Sequence, residues 1–336
     1  MTASVDDEAG VSAQLRALIG TGQCGAQLES LYREALTRLG PGHPVTLLIR
    51  CNANHYLDPI RPVDESLADW AELRDCAAAR LPEHHPTLLT IRSHYARCLG
   101  RRGSPGDLDL AVELCRSEVD RRIDGEAGEN LTGVARLDLA AALLDRGRSG
   151  RFDPALRRHR PGEDITEARH LVDRELARRT TAHGSAHPST WHVHAIRGEV
   201  LLARSGRAEP AQRRRLGAEA LSLAEILAED EWRRSNSHTF RALRTQLLRA
   251  ESLTVLGQDR KAESEARLAA VLARRYPGPA AGHALLLLAR ALIGRDRPAA
   301  LAAATAALTA RRALFPPGGR HVAEAEHLVG AVSGAR

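Results

Sequence analysis

Lysine is almost absent from this chain of 336 residues: Lys261 is the only one, and arginine carries nearly all the positive charge behind a formal net charge of +6. A coding bias toward GC-rich codons accounts for that without any functional demand for guanidinium groups. Aromatic residues are scarce too, with three Trp, four Tyr and three Phe making 3% of the chain. Proteins that bind single-stranded nucleic acid interleave aromatics for base stacking, so nucleic acid is disfavoured as a partner despite a sequence pI near 9.5 and the run RRRLG beginning at Arg213. The stretch HALLLL is too short to cross a bilayer and is followed by Arg290, and the opening MTASVDDEAG lacks the basic start and apolar run of a signal peptide. A cytoplasmic protein with no membrane contact is expected.

Cysteine is present but unorganised. Cys24, Cys51, Cys76, Cys98 and Cys115 are odd in number, form no C-x-x-C pair and fall mostly in apolar helical stretches, which excludes a disulfide framework and points to reduced core residues. A glycine-rich phosphate loop, H-E-x-x-H and G-x-S-x-G are all missing, and no Cys or Ser has an orienting base close by. The 15 histidines raise the question of metal. His183 with His187 and His192 with His194 lie close in sequence, but residues two apart on a helix point to different sides and zinc needs three or four converging ligands. Glu167 with His170 and Glu324 with His327 match the Glu-x-x-His strings of carboxylate-bridged bundles, yet stand too far apart along an extended array to face each other. No catalytic residue, metal or cofactor is assigned, and an enzyme is the less favoured class.

What the sequence has is a repeated joint. LGPGHPVTLLIR, residues 39–50, returns as LPEHHPTLLTIR, residues 81–92, and the alignment extends to His43, His85, Glu129, His187, His238, His283 and His321. Recurrence near 40 residues marks a solenoid. Ala, Leu, Arg and Glu dominate, residues that lose least on entering a helix, so the chain is expected to be all-α. Leu88, Ile91, Tyr95 and Leu99 form the apolar stripe of one helix, which ends around Gly100, Gly103, Pro105 and Gly106; Leu108, Val112, Cys115, Val119 and Ile123 form the stripe of the next, with Asp107 placed to cap it. Pro44, Pro86 and Pro188 sit where a helix begins, a place that suits a fixed φ and a missing N–H. The joint is therefore punctuation between the second helix of one hairpin and the first of the next.

The string HPTLLTIRSHYARCLGRRG, following LP, resembles the longer, kinesin-light-chain-like form of the tetratricopeptide repeat (TPR), of bacterial type, whose first helix starts at His-Pro and carries an Asn-Leu-Ala-like centre. Here that centre is SHYA (Ser93–Ala96) and LDLA (Leu137–Ala140), without the Asn. The resemblance is clearest over residues 28–206. It implies a TPR-like α-solenoid, a right-handed superhelix of about seven helix hairpins, with HVAEAEHLVGAV as a closing helix. The division follows: a flexible N-terminus at 1–10, repeats at 11–147, an insertion loop at 148–163 holding Arg157, Arg158, His159 and Arg160, and degenerate repeats with the closing helix at 164–336. The insertion is either a partner-binding loop or a tolerated surface excursion, and it divides the array in two.

In this family the first helices of successive units line a groove that receives protein or peptide segments. First-helix residues left over after the core stripes include Asn52, His55, Arg92, Ser93, Arg97, Arg136, His194, Arg197, Arg244, Arg249 and Arg290. As a set they are basic or neutral-polar, and arginine binds carboxylates through paired hydrogen bonds, so an acidic, extended protein segment is the expected partner. The alternatives are a merely solvated face, a small-molecule or enzyme site built inside the array around His192, His194 and Arg197, and RNA binding.

Overall fold

The structure, a computed structural model, describes residues 5–21, 25–58, 61–104, 106–124, 128–149, 161–185, 187–233, 240–274 and 278–334. These hold fifteen helices and no strand: α1 (Val5–Thr21), α2 (Gly25–Leu39), α3 (Pro44–Leu57), α4 (Val63–Ala78), α5 (Pro86–Arg102), α6 (Asp107–Asp124), α7 (Glu129–Ser149), α8 (Pro161–His183), α9 (Pro188–Ser205), α10 (Pro210–Arg233), α11 (Phe240–Val255), α12 (Asp259–Ala273), α13 (Pro279–Leu292), α14 (Arg297–Arg312) and α15 (Arg320–Ser333). No described helix is long and apolar enough to cross a membrane.

Every helix packs on the next, and each odd-numbered helix from α1 to α11 also touches the odd-numbered helix after it. The odd helices therefore make a continuous inner layer and the even helices splay outside it. The architecture is an all-α solenoid of TPR-like hairpins, seven pairs with α15 as the closing helix. Close approach in the inner layer needs small residues: a Cβ on Gly198 of α9 would stand 2.6 Å from Leu248 Cδ2 of α11.

Three joints share one cap. His43, His85 and His187 hold extended backbone, and the Nδ1 of each accepts the amide N–H two residues on, from Val45, Thr87 and Ser189 at 3.3, 3.2 and 3.2 Å. Proline follows immediately in the first turn. An imidazole thus does what Ser, Asp or Asn usually does, satisfying one of the donors a helix start leaves unpaired. The histidine series does not mark the later joints. The cap of α13 is Gly278 before Pro279, which puts His283 inside the helix; the cap of α15 is Gly319, with His321 in the first turn; His238 lies outside the described residues. Glycine and proline already start these helices, so the histidine there is free for another role.

The stripes pack as their periodicity predicts. Leu88, Ile91 and Leu99 of α5 and Leu108, Val112 and Cys115 of α6 are buried, Gly103 ends α5 in left-handed backbone (φ 58°), and Ile123 is the exception, 54% exposed at the end of α6. Asp107 does not cap α6 by accepting from the turn ahead. It reaches back to the Ser104 N–H at 2.8 Å and to Arg102 at 2.6 and 2.7 Å. Trp70 is fully buried, with Nε1 donating to the Asp58 carboxylate at 3.0 Å. Cys51, Cys98 and Cys115 are buried free thiols, and burial pushes the first two up to about 12, which leaves them unreactive.

Arginine enters the interior at the ends of the outer helices. Arg122 of α6, Arg179 of α8 and Arg311 of α14 are buried and donate to the carbonyls of Leu131, Ser189 and His321 at 2.9, 2.5 and 2.6 Å, at the start of the following inner helix. Each also pairs with a glutamate, Glu118, Glu175 and Glu324 respectively. The carbonyl and the carboxylate together offset the cost of taking the guanidinium out of water.

The insertion lies between the two helices of one unit, and α7 and α8 narrow it to the residues after Ser149 and before Pro161; its basic cluster lies outside the described residues. It does not divide the fold. Leu137, Leu143, Ile165, Val172, Val193 and Val200 belong to one buried cluster that runs straight across it. At the other end, residues 5–10, expected to be flexible, are the first turns of α1, whose Val11 and Leu15 are buried against Leu28 and Leu31 of α2.

The array also closes on itself. The turn between α14 and α15 returns to the first half of the chain: Leu314 O accepts from the Val63 N–H at 3.0 Å, Gly103 O accepts from the Arg320 N–H at 3.1 Å, and Phe315 and Val322 join the buried cluster of Trp70 and Leu99. An open concave groove running the length of the inner layer was expected. The chain's own C-terminal turn instead packs back against α4 and α5.

Replacing His85 with Ala should remove the α5 cap and lower unfolding stability by about 0.5–2 kcal/mol, with His85→Asp restoring most of it. Urea denaturation followed by circular dichroism measures both.

Candidate functional site

The residues expected to line the groove divide by direction. His55, Arg97 and Arg244 face the inner side together. Arg197 points outward instead, to Glu219 of α10 at 3.2 Å and Asp173 of α8 at 3.7 Å, and Arg249 pairs with Glu265 of α12 at 3.1 Å. His194 is half-buried, and burial and then the neighbouring Arg197 hold it below its ordinary value. Ser93 is buried and accepts from Arg122 at 3.2 Å, while Arg136 is buried in an ion pair with Glu129. Arg92 donates to Glu83 O at 3.2 Å, and Asn52 to Leu48 O of its own helix at 2.8 Å. Arg290 lies deeper along the inner layer.

Two neighbouring sites result. The first, termed the recess, is a group of inner-face side chains carried by α3, α5, α7, α9 and α11. The His94 ring stacks on Trp70 at 4.8 Å and meets the His55 ring at 5.0 Å. Arg97, with 44% of its side chain exposed, has its nearest carboxylate in Asp138 at 3.7 Å. Arg244 donates to His192 Nδ1 at 2.9 Å and to Glu199 at 2.9 Å. Solvent reaches the rim of His55, yet enclosure by the inner helices, then Arg97 and Arg101, hold it down at about 4. Enclosure followed by Arg97 keeps His94 well below its ordinary value, and enclosure followed by Arg244 does the same for His192. The recess thus presents neutral imidazoles beside two arginines, of which Arg244 is paired with Glu199 at 2.8 Å and Arg97 stands 3.7 Å from Asp138.

The second is a cavity of about 450 Å³ at the centre of the closed array. Its wall is a circuit of ion pairs. Arg148 of α7 stands 3.9 Å from Glu251 of α11, Glu251 stands 3.8 Å from His283 of α13, Arg290 of α13 is 2.8 Å from Glu324 of α15, and Arg320 of α15 returns to Asp145 of α7 at 2.9 Å. The α9 helix is tied in by Arg148 donating to Glu199 O at 2.9 Å. Leu202, Ala203, Leu247 and Leu287 line another side. Burial works against Glu251, but Arg148 and then His283 overcome it and hold the carboxyl at about 2. Glu324 is likewise held far down against burial, by Arg311 and Arg290. Asp145 goes the other way, because burial outweighs Arg320. His321, enclosed and stacked on Phe315 at 4.2 Å, is kept well below its ordinary value.

The signal that finds the inner face is a register. Eleven residues, about three helical turns, after the first-turn prolines Pro44, Pro86, Pro188 and Pro279 stand His55, Arg97, Glu199 and Arg290. The sequence-derived set holds Arg197 but not Glu199, Arg148, Glu251 or Arg320, and it weighed Glu324 only as part of a Glu-x-x-His string. Arg-Arg doublets at 121–122, 178–179 and 311–312 were the matching signal for the buried arginines.

Hairpins, register and closure together define a TPR-like helical-repeat protein. Two crystal structures of a Podosopora anserina protein, described as a kinesin light chain with nearly identical TPR-like repeats and one of them a point variant, are similar to this chain: each is 17% identical and covers 69% of it and 97% and 98% of their own length, with TM-scores of 0.44 and 0.43. No protein-family profile matches the chain, and no curated protein matches it.

Acid should weaken this fold through its neutral histidines. Below the ordinary pKa near 6.5 the unfolded chain takes up protons that folded His94 and His321 refuse, so stability is present above that pH and lost as pH falls through it. Glu251 acts in the same direction in a lower window, between the usual carboxylate range and about 2. The urea midpoint should be lower at pH 5 than at pH 7.5, and a His321→Gln variant should lose less of it.

Proposed function

We propose that this chain is an interaction protein that holds an acidic segment of a protein partner in the open recess of its inner layer. The observation that carries the reading is Arg97: an inner-face guanidinium, 44% exposed, whose nearest carboxylate stands off at 3.7 Å, with Arg244 nearby and three uncharged imidazoles beside them. A carboxylate brought to Arg97 gains a bidentate charge-assisted partner that Asp138 does not supply in that position. His55, His94 and His192 offer hydrogen-bonding edges to backbone and side-chain groups without competing charge. Closure of the array limits the segment to a short one, because the chain's own C-terminal turn already packs against α4 and α5.

Fluorescence anisotropy with labelled glutamate-rich dodecapeptides tests this. Binding should fall as salt rises, and Arg97→Glu combined with Arg244→Glu should weaken it about tenfold or more, while Arg197→Glu, on the outward side, should leave it unchanged. Equal binding by all three proteins would contradict the reading.

A further inference from the structure

Resting on the acidic-segment reading, we propose that Asp138 is a positioning residue for the recess: it holds Arg97 until a carboxylate of the partner takes the guanidinium over, and it then takes up a proton from solvent.

Asp138 of α7 is the exception among the buried carboxylates. Asp58, Asp107, Asp164 and Glu175 each accept a hydrogen bond from an indole or guanidinium N–H at 3.0 Å or closer, from Trp70, Arg102, Arg146 and Arg178 respectively. Arg97 Nε stands 3.7 Å from Asp138, beyond hydrogen-bonding distance. The carboxylate is enclosed, with 11% of its side chain exposed, while Arg97 leaves 44% of its own open. A buried charge whose compensation rests on one long contact responds to anything that draws that contact away.

The groups around it decide what gives way. Arg97 of α5 and Arg122 of α6 are the charged groups that face Asp138, and Cys115 of α6 faces it as a thiol. Arg122 is already engaged by Leu131 O, Ser93 and Glu118. His94 of α5 and His192 of α9 stand near Arg97 as neutral rings. The α8 helix meets α7 on another side, where Gly133 lies against Glu175. Arg97 is thus the cation free to turn. Burial pushes the Asp138 carboxyl above its ordinary range, and Arg97 and then Arg122 act against that push.

A partner carboxylate arriving on the open side of Arg97 gains paired, charge-assisted hydrogen bonds. Asp138 then shares one guanidinium with a second carboxylate in an enclosed space. Like charges so placed disfavour joint ionisation, and the more buried of the two acids takes the proton. Binding therefore consumes up to one proton per segment, and by linkage the affinity rises as pH falls from the slightly alkaline range toward pH 6.

Isothermal titration of a glutamate-rich dodecapeptide into the full chain, in two buffers of different ionisation enthalpy, measures that proton. The wild-type chain should show uptake, and Asp138→Asn should show none. Asn keeps the shape of the side chain without its charge, so the variant should bind about tenfold more tightly at pH 8, with the wild type approaching its affinity toward pH 6. Circular dichroism confirms the fold, and Asp138→Ser serves in its place should the Asn variant not fold. No binding, or binding indifferent to Arg97→Glu, would overturn the acidic-segment reading and this inference with it. Binding that needs Arg97 but takes up no proton, the same uptake in Asp138→Asn, or equal affinities of the two chains at pH 8 would overturn this inference alone.

Discussion

Two backbone hydrogen bonds govern the shape of everything inside this molecule. The Val63 N–H to Leu314 O and the Arg320 N–H to Gly103 O join the start of α4 to the last turn of the chain, and the start of α15 to the end of α5. Both donors open a helix, where the N–H groups have no partner within the helix itself. Each is satisfied only because a distant part of the array arrives beside it. Phe315 then covers the buried cluster that begins at Leu47. In an open solenoid stability is a sum over neighbours, and repeats can fray independently. Here the fourteenth and fifteenth helices are coupled to the fourth, fifth and seventh, so loosening one end costs contacts at the other.

The ion-pair circuit inside the ring is a consequence of that closure rather than its source. Burying opposite charges gains little net energy, because desolvation cancels most of the attraction, whereas a wrong alignment would leave a charge stranded. Arg320 meets Asp145, and Arg290 meets Glu324, only when α15 sits at one height against α7 and α13. The circuit therefore fixes the register of the closure, while the apolar turn around Phe315 supplies its driving force.

Hairpin structure was legible because it is written locally. A His-Pro step, a stripe at three and four residues and a stopping glycine each act within one or two turns, and α3, α5 and α9 start where those signals put them. The inner face was legible only in part. Helix periodicity says which residues share a side, but a first helix in a solenoid touches partners on several sides, and the remaining stripe that faces inward depends on rotation about the helix axis. That is why His55 and Arg97 share the inner register while Arg197 and Arg249 pair with the outer helices, and why polar Ser93 and Arg136 are buried. Closure was not legible at all. It depends on a small rotation per hairpin accumulated over several units, set by close contacts such as Gly198 against Leu248. No local string records that sum.

Native-state amide hydrogen exchange at Val63 and Arg320 tests the closed array most directly. The account predicts that both amides exchange as slowly as those in the middle of α5, and that both speed up together when Phe315 is replaced by Ala. Exchange at the rate of an ordinary exposed first turn, in a protein whose helices are otherwise protected, would show an open array and contradict it.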